Sequence, residues 1–143
     1  MSSFWKTQPT PKQLNELKKS LDKHIGIEIT EVGDDYIIAK MPVAEHTKQP
    51  MGLLHGGANV VLAESLGSIA SALLVDMTKQ TVVGVEINAN HLRGVKSGFV
   101  HGKVTPIKIG RTMHVWQINI HDDEGRHTCV SRITIAVIDR KSD

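Results

Sequence analysis

Three features of the sequence predict an α+β fold in which a curled antiparallel sheet wraps around one long central helix. A stretch of about twenty residues is apolar on every side, strand-like runs follow it, and short turn signals separate those runs.

Each element follows from its own pattern. After Pro9 and Pro11, KQLNELKKSLDKH sets Leu14, Leu17 and Leu21 at helical spacing with lysines opposite, predicting one short amphipathic N-terminal helix. IGIEITEVGDDYIIAKMPV alternates, is rich in β-branched residues and carries a turn signal at Gly33-Asp34-Asp35, so a strand hairpin is expected over 25–43. Pro42 and Pro50 bound a polar loop. The central helix is expected over 56–75, where Val60, Val61, Leu62, Ile69, Leu73 and Leu74 fall on all sides. Such a helix must be covered. TVVGVEINANHL, GFVHGKVTPIKI, TMHVWQINIHDD and HTCVSRITIAVID supply strands for the cover, with turn signals at RGVKSG, GR and DEGR. Short connections make these strands mostly antiparallel, and the result is the hotdog architecture.

At 143 residues, 40% hydrophobic and 22% charged, the chain is expected to form a single domain over 1–143 with a conventional core. Aromatics are only 3% and the net charge of +2 is dispersed, which argues against a nucleic-acid partner. Cys129 is the only cysteine, so no intramolecular disulfide forms and no thiolate cluster holds zinc. MSSFWKTQPTPKQ lacks the apolar core of a signal peptide and no segment reads as a membrane span, so a soluble cytoplasmic protein is expected. No metal is expected either: H-E-x-x-H is absent, and His24, His46, His101, His114, His121 and His127 scatter over strands and loops as structural or solvated groups.

The central helix holds the candidate chemistry. Between His55 and Asp76 the one ionisable side chain is Glu64, and an ionised carboxylate is rarely buried unpaired because desolvation costs several kcal/mol. Ser68 lies one turn on, placed to bond Glu64 or a water it activates. Two readings stand: a reactive carboxylate, or one that faces solvent or an interface cation. At the helix start, Gly56 and Gly57 let a ligand approach free N–H groups, a place suited to a thioester oxyanion. HGG also occurs in lipase oxyanion loops, but that fold needs a G-x-S-x-G elbow that is missing here. His55 beside the helix start reads as a cap or substrate-positioning group ahead of a base, since the dipole disfavours imidazolium there.

KQPMGLLHGGANVVLAESLGSIAS followed by VVGVEINANHLR resembles the glutamate-using branch of the 4-hydroxybenzoyl-CoA thioesterase family, over 33–138. Within it the chain is similar to thioesterases for 1,4-dihydroxy-2-naphthoyl-CoA in menaquinone biosynthesis and to the proofreading thioesterase of enterobactin synthesis. The resemblance implies that Glu64 is the catalytic carboxylate, as general base or as nucleophile forming a mixed anhydride. It implies that the Gly56 N–H binds the thioester carbonyl with His55 and Gln49 beside it, and that Ser68 helps to place water. Gly84, His91, Leu92, Arg93 and Gly94 would line the ligand channel, His91 near the acyl end. Met51 departs from the phenylalanine common in the family, which bears on substrate preference.

The family's sites lie across a dimer interface, Gln49, His55 and Gly56 of one subunit facing Glu64 and Ser68 of the other, and the dimers usually pair into homotetramers. That suits the spacing: Gly56 and Glu64 stand eight residues apart on one helix, roughly 12 Å by rise, too far to share a carbonyl. Coenzyme A phosphates need cations or backbone N–H groups, offered by Arg93 and by Lys108, Gly110, Arg111 and Thr112, although basic turn residues are often simply solvated. The expectation is an acyl-CoA thioesterase for aromatic acyl groups with no cofactor beyond its substrate, an acyl or aryl carrier protein being a possible alternative carrier. Two other readings remain: a hotdog hydratase or dehydratase pairing His55 with Glu64, and a non-catalytic acyl-CoA or acyl-carrier binding module.

Overall fold

The computed structural model describes residues 2–141. Thr10 opens the first helix, α1 (Pro11–Leu17), with a reciprocal cap: its hydroxyl accepts from the Gln13 N–H while the Gln13 side chain accepts from the Thr10 N–H. The single N-terminal helix expected from the leucine spacing is broken. Lys18 and Lys19 are extended, and a second short helix, α2 (Ser20–His24), starts at Ser20 with φ of 55°. Two anchors pulling in different directions account for the break. The Asn15 amide brackets the Ile29 backbone at 2.9 and 2.7 Å, fixing α1 to the first strand, while Asp22 accepts from Ser65 at 2.6 Å, fixing α2 to the central helix. Of the three leucines only Leu14 is buried; Leu17 and Leu21 are exposed.

The hairpin forms as expected, β1 (Glu28–Val32) pairing antiparallel with β2 (Ile37–Pro42), and the Gly33 N–H donates to the Tyr36 carbonyl across the turn. The central helix α3 (Gly56–Ala72) ends at Ala72, short of the expected 75. Its last turn is tied off from outside: the Leu73 carbonyl accepts the Lys6 N–H at 2.9 Å, and Leu74 N–H closes on Ser71.

The strands β3 (Gln80–His91), β4 (Phe99–Ile109), β5 (Met113–Asp122) and β6 (His127–Asp139) complete one antiparallel six-stranded sheet in the order β1-β2-β4-β5-β6-β3. One turn signal proves to be something else. RGVKSG does not close a hairpin, because β3 lies at the far edge beside β6 and residues 92–98 cross the end of the sheet to reach β4. Backbone bonds hold that crossing: Leu92 N–H to Thr128, Leu54 N–H to the Val95 carbonyl and Val43 N–H to Gly98.

Strand alternation turns Val100, Val104, Trp116, Ile118, Ile120, Ile133 and Ile135 toward α3, whose Leu62, Leu66 and Ala70 are fully buried against them. The helix lies close on the sheet: a Cβ at Gly102 would come within 2.9 Å of Leu66. At the far end Trp5 stacks on Trp116 with centroids 6.2 Å apart, closing the core beneath the N-terminal segment. Among the described residues, no helix is long and apolar enough to cross a membrane.

Candidate active site

The start of α3 is built from short-range contacts. His55 is the N-cap, and its Nδ1 accepts the Gly57 N–H at 2.8 Å. A ring accepting at Nδ1 carries its neutral-state proton on Nε2, so His55 offers a donor, not a base. Ala58 N–H closes back on the His55 carbonyl at 3.0 Å. Among the described residues nothing accepts the Gly56 N–H, which is the free donor a helix start leaves over.

Gly56 lines a cleft of about 380 Å³. Gln49, Leu53, Leu54, Asn59, His91 and the 92–95 stretch of the crossing line it with Gly56. The backbone and His91 approach closely here: a Cβ at 56 would lie 2.9 Å from Nε2 of His91, so a larger residue would have to shift that ring. Gln49 is held on the cleft wall by its own loop, its N–H donating to Leu53 at 2.8 Å and its side-chain oxygen accepting from the Met51 N–H.

Glu64 is elsewhere. It lies two turns along α3, half-buried, with its carboxylate pressed on Gly84 of β3, where a Cβ would collide with Oε1. Gly84 sits at the register shift of β3 against β6. Among the described residues no cation or hydrogen-bond donor pairs with Glu64. Ser68 follows one turn on, also half-buried, with no hydrogen bond to the carboxylate.

The residues singled out in the sequence thus fall into two clusters along β3. Gln49, His55, Gly56, His91, Leu92, Arg93 and Gly94 cluster at one end; Glu64, Ser68 and Gly84 gather at the other. Lys108 lies near the end of β4, and Gly110, Arg111 and Thr112 form the β4–β5 turn, which lies on the Gly84 side: the Thr112 carbonyl accepts from Val137, and Val137 pairs with Val82. Lys108, Arg111 and Thr112 are exposed, and Arg93 is exposed at the cleft rim.

Sequence reading missed Asn59, Leu54 and Val95, all buried on the cleft floor. Leu54 and Val95 meet only through the crossing, which reads locally as a turn. Asn59 did leave a signal, a lone amide in an otherwise apolar turn of helix.

Comparison with known proteins identifies the family. The Thioesterase superfamily matches residues 51–129, a span that includes the start of α3, Glu64 and His91. A 1,4-dihydroxy-2-naphthoyl-CoA hydrolase from Escherichia coli is 47% identical over 136 residues, covering 94% of this chain and 99% of its own. The proofreading thioesterase EntH of Cronobacter turicensis is also 47% identical over 136 residues, covering 94% and 98%. A solved structure of a mutant thioesterase from Pseudomonas aeruginosa superposes with a TM-score of 0.93 at 47% identity, covering 96% of this chain and all of that one. The sheet order, the buried helix and these near full-length matches converge: the chain belongs to the Thioesterase superfamily and has its hotdog fold.

Proposed function

We propose that the protein hydrolyses the thioester of an aromatic acyl-CoA, with Glu64 of one protomer acting on a carbonyl held at Gly56 of its partner. The observation that carries this reading is the uncommitted Gly56 N–H at the mouth of a cleft, on the same helix as an unpaired carboxylate that cannot reach it.

An isologous pairing of two β3 edges reconciles the two halves. Gly56 packs on His91 and Glu64 packs on Gly84, so an antiparallel β3 pair centred between Ile87 and Asn88 sets Gly84 opposite the partner's His91. Each Glu64 then faces the partner's helix start. β3 has the free edge this needs, with Val83 and Val85 exposed along it.

In that arrangement the Gly56 N–H and the helix dipole receive the developing oxyanion, a donor whose loss typically costs about 10²–10³ in rate. The Glu64 carboxylate either adds to the carbonyl carbon, expelling the coenzyme A thiolate and leaving a mixed anhydride that water then opens, or removes a proton from an attacking water. Ser68, one turn from Glu64, orients that water. Arg93 of one subunit and the Lys108–Thr112 turn of the other suit the phosphates of coenzyme A. With His55 Nδ1 committed to the Gly57 N–H, the hydratase reading lacks its histidine base. The relatives named for 1,4-dihydroxy-2-naphthoyl-CoA and for proofreading support a hydrolase, the first of them an aromatic acyl group.

The test is thiol release from aromatic and aliphatic acyl-CoAs by the wild type. Turnover that favours aromatic acyl groups is expected; binding without release would leave a non-catalytic acyl-CoA module in its place.

A further inference from the structure

The segment between β2 and α3 carries Gln49 and His55, and a buried hydroxyl anchors it. Thr47 is only 3% exposed. Its Oγ1 donates to the carbonyl of Pro42, the last residue of β2, at 2.7 Å and accepts the Ala44 N–H at 2.9 Å, while its own N–H closes on the Ala44 carbonyl at 2.9 Å. These bonds fix the Thr47 backbone to a strand whose Ala39 and Met41 are fully buried. The Thr47 carbonyl in turn accepts the His55 N–H at 2.8 Å, Lys48 bridges to Leu54, and the Gln49 N–H reaches Leu53, so residues 47–55 form a small hairpin standing on Thr47.

His55 is held at both ends of its backbone. Its N–H is bound to Thr47, and its carbonyl accepts the Ala58 N–H at 3.0 Å. In a planar trans peptide the carbonyl and the following N–H point opposite ways, so fixing the His55 carbonyl also aims the Gly56 N–H. We propose that Thr47 is a positioning residue: its hydroxyl, acting through the His55 backbone, fixes the direction in which the Gly56 N–H meets the thioester carbonyl. This rests on the thioesterase reading and adds to it a residue that touches neither the substrate nor the reacting atoms. The hairpin has a second tie, from the Leu54 N–H to the Val95 carbonyl at 2.8 Å, so loss of the hydroxyl shifts the hairpin without releasing it. A donor aimed at developing charge contributes more in the transition state than in the ground state, so the shift falls on kcat and not on KM.

The experiment compares wild type with Thr47→Val, which keeps the shape but loses both hydroxyl bonds, and with Thr47→Ser, which keeps the hydroxyl. Steady-state thiol release from benzoyl-CoA and 4-hydroxybenzoyl-CoA gives kcat and KM, and hydrogen exchange followed by mass spectrometry gives local protection. In Thr47→Val, kcat is expected to fall by about ten- to a hundredfold with KM little changed, and Thr47→Ser should restore most of it. The peptide spanning 47–57 should exchange faster in Thr47→Val while β4, β5 and β6 keep wild-type protection. An unchanged kcat in Thr47→Val would overturn the proposal, as would a fall that Thr47→Ser shares in full. Faster exchange throughout the chain would also overturn it, since that is the signature of a merely structural hydroxyl. If Thr47→Val does not fold, Thr47→Cys, with its weak donor, takes its place under the same expectations. If wild type releases thiol from neither substrate, the thioesterase reading fails separately, and exchange alone judges whether the hydroxyl holds the Gly56 donor: protection lost only over 47–57 supports that, unchanged protection there overturns it.

Discussion

Ser71 joins two side chains that the sequence keeps far apart: its Oγ accepts from Trp116 Nε1 at 2.7 Å and lies 2.9 Å from His114 Nδ1, all three buried. Ser71→Ala orphans both rings and should cost about 1–3 kcal/mol, read from urea unfolding at fixed protein concentration. Burial holds the His114 pKa below its usual value, so the folded ring stays neutral where the unfolded one takes up a proton. Stability should therefore decline as pH falls below about 6.5 toward the folded value, and His114→Gln should flatten that slope in melting curves. The sequence showed His114 only as one scattered histidine, since its partners come from another element. Glu64 was legible because isolation in an apolar helix is visible without the fold.

Gly84 links β3 to α3 by leaving room for a carboxylate, and a methyl group there must displace Glu64. Gly84→Ala should lower kcat by about ten- to a hundredfold, the usual penalty for a misplaced reacting group, measured by steady-state thiol release. The β5–β6 turn depends on a different carboxylate. Burial alone would raise the Asp122 pKa, but hydrogen bonds from the Arg126 backbone and guanidinium and from the Glu124 N–H outweigh it, so the value is lowered. A folded pKa below the unfolded value of about 3.9 gives stability that is present above that pH and lost as pH falls through the folded value. Asp122→Asn should thus lower the melting temperature at neutral pH and converge with wild type in acid. At this scale strands and central helix were legible from periodicity alone. The N-terminal helix was not, because Lys18 and Lys19 continue a good helical pattern that only Asn15 and Asp22, anchored elsewhere, interrupt.

In the whole molecule, the proposed shared site sets Gly56 and Glu64 apart along a single helix and a single edge strand. The spacing of Gly56 and Glu64 made that separation legible in the sequence; the cleft floor was not, because residues 92–98 look like a turn and act as a crossing. Sedimentation should show a dimer or a larger even assembly, joined through β3. The decisive measurement is complementation between Glu64→Gln, which loses the carboxylate, and Gly56→Pro, which loses the N–H at a first helical position open to proline and also pushes on the His91 ring. Each variant alone should be nearly inactive. After subunit exchange, random pairing of an isologous dimer puts one intact site in each mixed dimer, and thiol release should recover to about a quarter of the wild-type rate. A mixture that is verified to exchange and still shows no more activity than its components would contradict a site shared between protomers.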